Sequence, residues 1–212
     1  MSTSRPVFAR FFSMLSGVME DRGLGDKRGA LLDGLVGHVV EVGAGDGSNF
    51  RHYPTHGRVE QVTAVEPERW LRAKAQARAA KLPLSIRVVD GTAEALPVDS
   101  GSADGVVFCL VLCSVPDVRA ALDEAHRVLR PGGTLRVLEH VAATGAMARG
   151  TQKVLDATVW PALFGGCHTA RDPFDHLEDA GFEVLGSERT HFPEGLPQPT
   201  TPHVHVRAVK PG

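Results

Sequence analysis

The stretch V-V-E-V-G-A-G-D-G-S-N-F, residues 39–50, constrains the fold of this chain more than any other segment. Its short apolar run is typical of a buried β-strand, and a glycine-rich turn follows at once. Because Gly43, Gly45 and Gly47 carry no Cβ, a bulky ligand could lie directly against the peptide backbone there. The pattern predicts an open α/β sheet with a ligand at the carboxyl end of this first strand.

The spacing of the glycines indicates which ligand to expect. A dinucleotide fingerprint G-x-G-x-x-G would place its third glycine at position 48, where this chain has Ser48, so a nicotinamide oxidoreductase is disfavoured. The spacing G-x-G-x-G, with Glu41 two residues before the first glycine, resembles motif I of the Rossmann-like methyltransferases that bind S-adenosylmethionine.

Length and composition predict a single domain. A chain of 212 residues with 42% hydrophobic content can bury one core. We divide this single domain into an N-terminal helical cap, 1–36, and a Rossmann-like core, 37–212. The net charge of −2 gives no basic bias, so we expect no nucleic-acid partner. We expect a monomer or a homodimer.

The apolar runs and the cysteines indicate a reducing, aqueous compartment. No run approaches the roughly 20 residues that cross a bilayer, and no signal-peptide pattern opens the chain, so we expect no membrane span and a cytoplasmic location. Cys109, Cys113 and Cys167 form neither a paired framework nor a metal-ligand spacing, so we expect reduced thiols and no metal.

Strands and helices alternate along most of the chain. The predicted strands are 39–42, 62–65, 84–89, 103–112, 135–141, 182–191 and 203–209, and the predicted helices are 5–20, 26–35, 68–81, 118–129, 147–164 and 173–180, with a short helix after the glycine turn. Helix 5–20 is amphipathic. It either packs on the core, uses Phe11 and Phe12 to cover a pocket for the molecule that accepts the methyl group, or contacts a membrane surface. In the last strand, His203 and His205 are predicted to be exposed edge residues.

An acid closes the second strand. Glu66 lies 19 residues after Gly47 and precedes Pro67. At the end of a strand, its carboxylate can accept hydrogen bonds from both ribose hydroxyls of a nucleoside. The alternative is an ordinary helix N-terminal acid, either Glu66 or Glu68.

Further segments extend the resemblance to methyltransferases. D-G-T-A-E-A-L-P, residues 90–97, is similar to the methyltransferase segment G-D-A-E-x-L-P-F, whose loop holds the adenine, with Thr92 where an aspartate is common. The resemblance implies S-adenosylmethionine as cofactor, S-adenosylhomocysteine as product, and a class I methyltransferase fold: a seven-stranded, mostly parallel sheet with an antiparallel last strand. The cofactor-binding residues it implies are Glu41, Gly43, Ala44, Gly45, Gly47, Asn49, Glu66, Pro67, Thr92, Ala93, Glu94, Cys109 and Leu110.

A narrower resemblance concerns the acceptor. The strings G-S-N-F-R-H-Y-P (47–54), F-C-L-V-L-C-S-V-P-D (108–117), L-E-H-V-A-A (138–143) and G-C-H-T-A-R (166–171) are similar to animal methyltransferase-like proteins that methylate alkyl thiols. This implies a small-molecule acceptor, with a thiol as the first candidate. An O-, N- or C-methyltransferase on a lipophilic metabolite and a non-catalytic cofactor-binding module remain alternatives.

One histidine is the candidate for removing a proton from the methyl acceptor. His140 stands at a strand end and titrates near neutrality, so it is either the general base or a histidine hydrogen-bonded behind the cofactor. His168 and Arg171, on the following loop, are further candidates for contacting the acceptor, together with Phe11 and Phe12. Cys109 and Cys113 are predicted to be small core residues.

Overall fold

One seven-stranded sheet organises the chain. The computed structural model describes residues 13, 17–54, 58–158, 160–192 and 201–212. The strands are β1 (Gly37–Val42), β2 (Val59–Val65), β3 (Ser85–Val89), β4 (Ala103–Cys109), β5 (Leu129–His140), β6 (Glu183–His191) and β7 (Pro202–Val209). Their order is β3-β2-β1-β4-β5-β7-β6; the first five are parallel, and β7 runs antiparallel between β5 and β6. The predicted fold class is confirmed.

The described helices are α1 (Gly25–Leu32), α2 (Arg69–Ala79), α3 (Val118–Val128), α4 (Ala146–Asp156) and α5 (Trp160–Leu163), with a π-helical turn at Glu20–Leu24 and 3₁₀ turns at Phe50–His52 and Pro173–His176. None of these helices has the length and apolar character that crossing a bilayer would require. Two acids cap helices: Glu68 accepts from the Leu71 amide (2.8 Å), and Asp117 accepts from the Ala120 amide (3.0 Å).

Several predicted helices differ in extent. The helix expected over 147–164 is two helices, because Pro161 has no amide hydrogen to donate and cannot continue a helix from α4. The segments after the glycine turn and from residue 173 form only 3₁₀ turns. Most of the predicted helix 5–20, including Phe11 and Phe12, lies outside the described residues.

Both faces of the sheet are covered, as a central parallel strand requires. Along β4, Val106, Val107 and Phe108 are fully buried, and successive residues face different clusters. Val106 and Phe108 pack with α3 on one face, whereas Val107 packs with α1 and α2 residues on the other. The carboxyl ends of β1, β2, β4 and β5 are therefore held at one edge of a rigid sheet.

The prediction for the last strand was wrong. His203 is 1% exposed and His205 is half-buried, because β7 lies inside the sheet and β6 forms the edge instead. His203 tolerates burial as a neutral ring: burial lowers its pKa to about 4, and its Nδ1 lies 2.8 Å from the Thr201 carbonyl oxygen.

The glycine turn is fixed by its backbone. Gly43, Gly45 and Gly47 all have positive φ (67°, 58° and 80°), where side chains other than glycine are strained. A Cβ on Gly43 would lie 2.6 Å from Val111 Cγ2, and one on Gly47 would lie 2.6 Å from the Phe50 ring. The space left by the missing Cβ atoms at these two positions is therefore filled by the protein's own side chains.

We predict that Gly47→Ala destabilises the fold more than the same change at Gly101. Both glycines have positive φ, but a Cβ on Gly101 meets no atom within 4 Å. Gly101→Ala should thus cost only the backbone strain, about 1 kcal/mol, and Gly47→Ala about 2–4 kcal/mol because the Phe50 ring must move. Denaturant unfolding of both variants measures the difference. Equal losses in the free energy of unfolding would contradict an extra cost from the contact with Phe50.

Candidate active site

The glycine turn and the end of β2 are joined by hydrogen bonds. The amides of Gly43 and Ala44 donate to the Val65 carbonyl (2.8 and 3.0 Å), and the Gly45 amide donates to Glu66 Oε2 (2.8 Å). These amides are therefore already paired within the protein. None of these three amides is left as a free donor for a ligand.

Glu66 is a buried carboxylate with capacity to spare. It is 5% exposed, and its other oxygen, Oε1, accepts from the Glu68 amide (2.8 Å). Burial raises its pKa, while the two amides pull in the opposite direction. A carboxylate has about four acceptor positions, so two remain for hydroxyl groups of a ligand. This placement fits the ribose of an adenosyl group, the role predicted for Glu66; Pro67, beside it, is exposed.

Glu41 supports the turn from inside the fold. It is 1% exposed, and its oxygens accept from Asn49 Nδ2 (3.0 Å) and the Tyr53 hydroxyl (2.8 Å). Burial raises the pKa of Glu41 to about 7, against the opposing effect of those two donors. Asn49 thus contacts another candidate residue, and Tyr53 is a supporting residue that the sequence analysis missed.

Asp46, inside the glycine turn, was also missed. It is 1% exposed and accepts from the hydroxyls of Ser13 and Ser48 (2.7 and 2.6 Å) and from Arg78 Nη1 (3.0 Å). Arg78 thereby connects α2 to the turn, a contact between separate segments that the periodicity of the sequence cannot reveal.

The predicted adenine loop adjoins the end of β2. A Cβ on Gly91 would lie 2.9 Å from Val65 Cγ1, so the loop packs closely against that strand. Thr92 is exposed, Ala93 is buried and Glu94 is half-buried. The loop is closed by a bridge between Thr92 and Ala95.

The loop after β4 is held by an acid at the end of β5. Glu139 is fully buried and accepts from the amides of Val111 (2.6 Å), Leu112 (2.8 Å) and Cys113 (3.4 Å). Burial raises its pKa, and these amides oppose that rise.

Leu110, a predicted cofactor residue, is strained. Its φ of 60° is the one positive value among the described residues other than glycine, and its amide donates to the Leu138 carbonyl (2.8 Å). Such strain persists only where the surroundings fix the backbone, and it is common at functional sites. Cys109, immediately before it, is half-buried.

His140 lies in a cluster with two thiols. Its Nδ1 is 3.4 Å from Cys167 Sγ, and the ligand atoms of Cys113, His140 and Cys167 all lie within 4.8 Å of one another. The sequence spacing gave no sign of this cluster, since its members come from three separate segments. Cys113 is buried, as predicted, but it faces these partners rather than an apolar core alone.

The charges in this cluster are coupled. Burial lowers the pKa of His140, but Cys113, Glu139 and Asp156 outweigh burial and leave it raised. The hydrogen bond between the two thiols raises the pKa of Cys113 and lowers that of Cys167.

The two candidates on the loop after α5, Arg171 and His168, both contact the loop after β4. Arg171 Nη1 donates to the carbonyls of Leu112 (3.2 Å), Cys113 (3.4 Å) and Val115 (2.6 Å). His168 is half-buried, and its amide donates to the Cys113 carbonyl (2.8 Å). Both residues therefore hold the Cys113 loop in place.

Comparisons with known proteins show which proteins this chain is similar to. Residues 40–137 match a family model described as a methyltransferase domain. The human thiol S-methyltransferase TMT1B is 38% identical over 84% of this chain and 74% of its own length, and human TMT1A is 38% identical over 81% and 70%.

Solved structures share the fold. A SAM-dependent methyltransferase from Thermotoga maritima has a TM-score of 0.69 at 22% identity, covering 96% of this chain and 98% of its own. A geranyl diphosphate methyltransferase in complex with SAM has a TM-score of 0.70 at 12% identity, covering 89% and 85%.

We predict that Glu41 makes stability fall as pH rises. Its folded-state pKa of about 7 exceeds the ordinary value of 4.5, so its contribution is complete below the ordinary value and is lost as pH rises through 7. Between about pH 5 and pH 8 the wild type should lose up to about 3 kcal/mol from this group. Glu41→Gln should lack that component, because its amide stays neutral and can donate to Asn49 Oδ1, which has no partner among the described residues.

Denaturant unfolding of both proteins across this pH range measures the difference. Parallel pH profiles for wild type and variant would contradict the assignment.

Proposed function

This chain belongs to the thiol S-methyltransferase family of class I, S-adenosylmethionine-dependent methyltransferases, and we propose that it methylates the sulfur of a small-molecule thiol. The observation that carries the proposal is the 38% identity to human thiol S-methyltransferases across more than four fifths of the chain.

We assign the cofactor half of the site to the ends of β1, β2 and β4. Glu66 would accept the ribose hydroxyls, and the glycine turn would allow close approach of the methionine portion. Thr92, Ala93 and Glu94 would border the adenine, and Cys109 and Leu110 would close the crevice from β4. When bound, S-adenosylmethionine supplies a methyl group activated by a positively charged sulfur and leaves as S-adenosylhomocysteine.

The acceptor half would be formed by β5 and the loops beside it. A thiol with a pKa near about 8.5 is partly ionised at neutral pH, so positioning in a water-poor cleft can supply much of the acceleration. We propose His140 as the residue that receives the acceptor's proton, since it stands at the edge next to the cofactor half. Arg171 and His168 would keep the Cys113 loop in shape, and Phe11 and Phe12 would cover the acceptor.

The same proposal includes a cytoplasmic location and a monomeric or homodimeric enzyme. The three cysteines are free thiols, which suits a reducing compartment.

We predict that Glu66→Gln weakens S-adenosylmethionine binding by about 10- to 100-fold, because charge-assisted hydrogen bonds are lost and the new amide faces two backbone donors. Isothermal titration measures the affinity. Glu60→Gln is the matched control, since Glu60 is exposed on the same strand and should bind as the wild type does. Equal affinities for the Glu66 variant and the control would remove Glu66 from the cofactor site.

The acceptor is tested with a panel of aliphatic thiols and their matched alcohols and amines. We expect S-adenosylhomocysteine release with the thiols, and a fall of about 100-fold or more in kcat for His140→Ala with little change in cofactor affinity. Turnover of alcohols or amines but not thiols would overturn the thiol assignment. Unchanged turnover of the variant would remove His140 from the mechanism.

A further inference from the structure

Three soft or borderline metal ligands converge on the acceptor side of the site. Cys113 lies on the loop after β4, His140 ends β5, and Cys167 lies on the loop after α5. The two Sγ atoms and one ring nitrogen of His140 all lie within 4.8 Å of one another, and both cysteines are at most 6% exposed. The fold therefore brings separate segments together to place two thiols and an imidazole at one point.

The spacing suits a tetrahedral ion. Zinc binds thiolate sulfur at about 2.3 Å and imidazole nitrogen at about 2.0–2.1 Å, which sets neighbouring ligand atoms roughly 3.5 Å apart. The observed distance from Cys167 Sγ to His140 Nδ1 is 3.4 Å. The ligand atoms of the cluster lie at most 4.8 Å apart, so the remaining pairs need to approach by up to about 1.3 Å to meet the same spacing.

We propose that Cys113, His140 and Cys167 bind a divalent zinc ion whose fourth position receives the acceptor thiol. Two cysteines and one histidine form a ligand set that leaves one position open, as catalytic zinc sites do. Thiolate and imidazole ligands select zinc over hard ions such as magnesium and calcium.

The backbone around Cys113 is already organised for such a role. Its amide donates to Glu139 Oε2 (3.4 Å), and its carbonyl accepts from the His168 amide (2.8 Å). Arg171 binds the same carbonyl and those on either side of the loop. Partners that orient a ligand in this way strengthen metal binding, because the ligand need not be ordered by the ion.

This inference rests on the proposed thiol methylation and deepens it. The acceptor R–SH would bind the ion as R–S⁻ and release its proton to solvent, since a coordinating thiol is deprotonated. The sulfur lone pair then forms the new S–CH₃ bond while the bond from the methyl carbon to the donor sulfur breaks. The products are the thioether and S-adenosylhomocysteine. In this arrangement His140 is a ligand, and the ion takes over the task of ionising the acceptor.

The full chain, purified with a phosphine reductant and stripped with a chelator, should bind one Co²⁺ per molecule. Cobalt in the zinc position should give a thiolate charge-transfer band and intense visible bands of tetrahedral geometry. Cys113→Ser and Cys167→Ser should each weaken binding by more than about tenfold and reduce the charge-transfer band. Cys109→Ser is the matched control, because it removes a thiol outside the cluster and should retain the cobalt spectrum.

Propanethiol added to the cobalt protein should increase the thiolate charge-transfer band as it takes the fourth position. Absence of the band in the wild type, or its persistence in both serine variants, would overturn the metal site; no change on adding propanethiol would overturn the open position. Thiol methylation at full rate by metal-free protein overturns the metal proposal and leaves the proposed function standing. A cobalt site in a protein that methylates no thiol overturns the proposed function instead.

Discussion

The hydrogen bond from the Gly45 amide to the Glu66 carboxylate is the contact on which the site depends. It joins the turn after β1 to the end of β2, so the backbone of the glycine turn and the acid predicted to bind ribose hold one another in place. Glu139 repeats the arrangement between β5 and the loop after β4. Glu41 does the same with Asn49 and Tyr53 beneath the turn. Buried carboxylates that accept neutral donors thus connect the ends of the strands.

These buried acids reduce the stability of the fold at this end of the sheet. Each of these three acids has a raised pKa because burial disfavours its charge, and the neutral donors compensate only in part. Leu110 adds backbone strain at the same edge. The apolar side chains packed on both faces of the sheet stabilise the fold and offset the free-energy cost of these buried acids and of the strain at Leu110. In return, a ligand meets groups whose positions are fixed before it arrives, which lowers the entropy lost on binding.

The sequence predicted what is encoded locally. The strand and glycine turn follow from periodicity and from glycine's access to positive φ, and Glu66 follows from its position at a strand end. The amides held by Glu139 could not be predicted, because that contact joins segments far apart in the chain. The same is true of the cluster of Cys113 and Cys167 with a histidine. His203 was misjudged since the alternation of a strand shows its faces but not its place in the sheet.

The two halves of the site differ in chemistry, and the difference follows from the fold. The end of β2 presents the carboxylate oxygens of Glu66, which suit the hydroxyls of a sugar. Beyond β4, at the end of β5, lie the sulfurs of Cys113 and Cys167 and the ring of His140. These are polarisable groups that hold protons or soft ions rather than hydroxyls. The order of the strands reverses between β1 and β4, so the two sets of groups lie side by side at the carboxyl ends of the strands. A methyl donor that lies across the first set would direct its reactive carbon toward the second. A sulfur acceptor is the chemistry that the second set suits best.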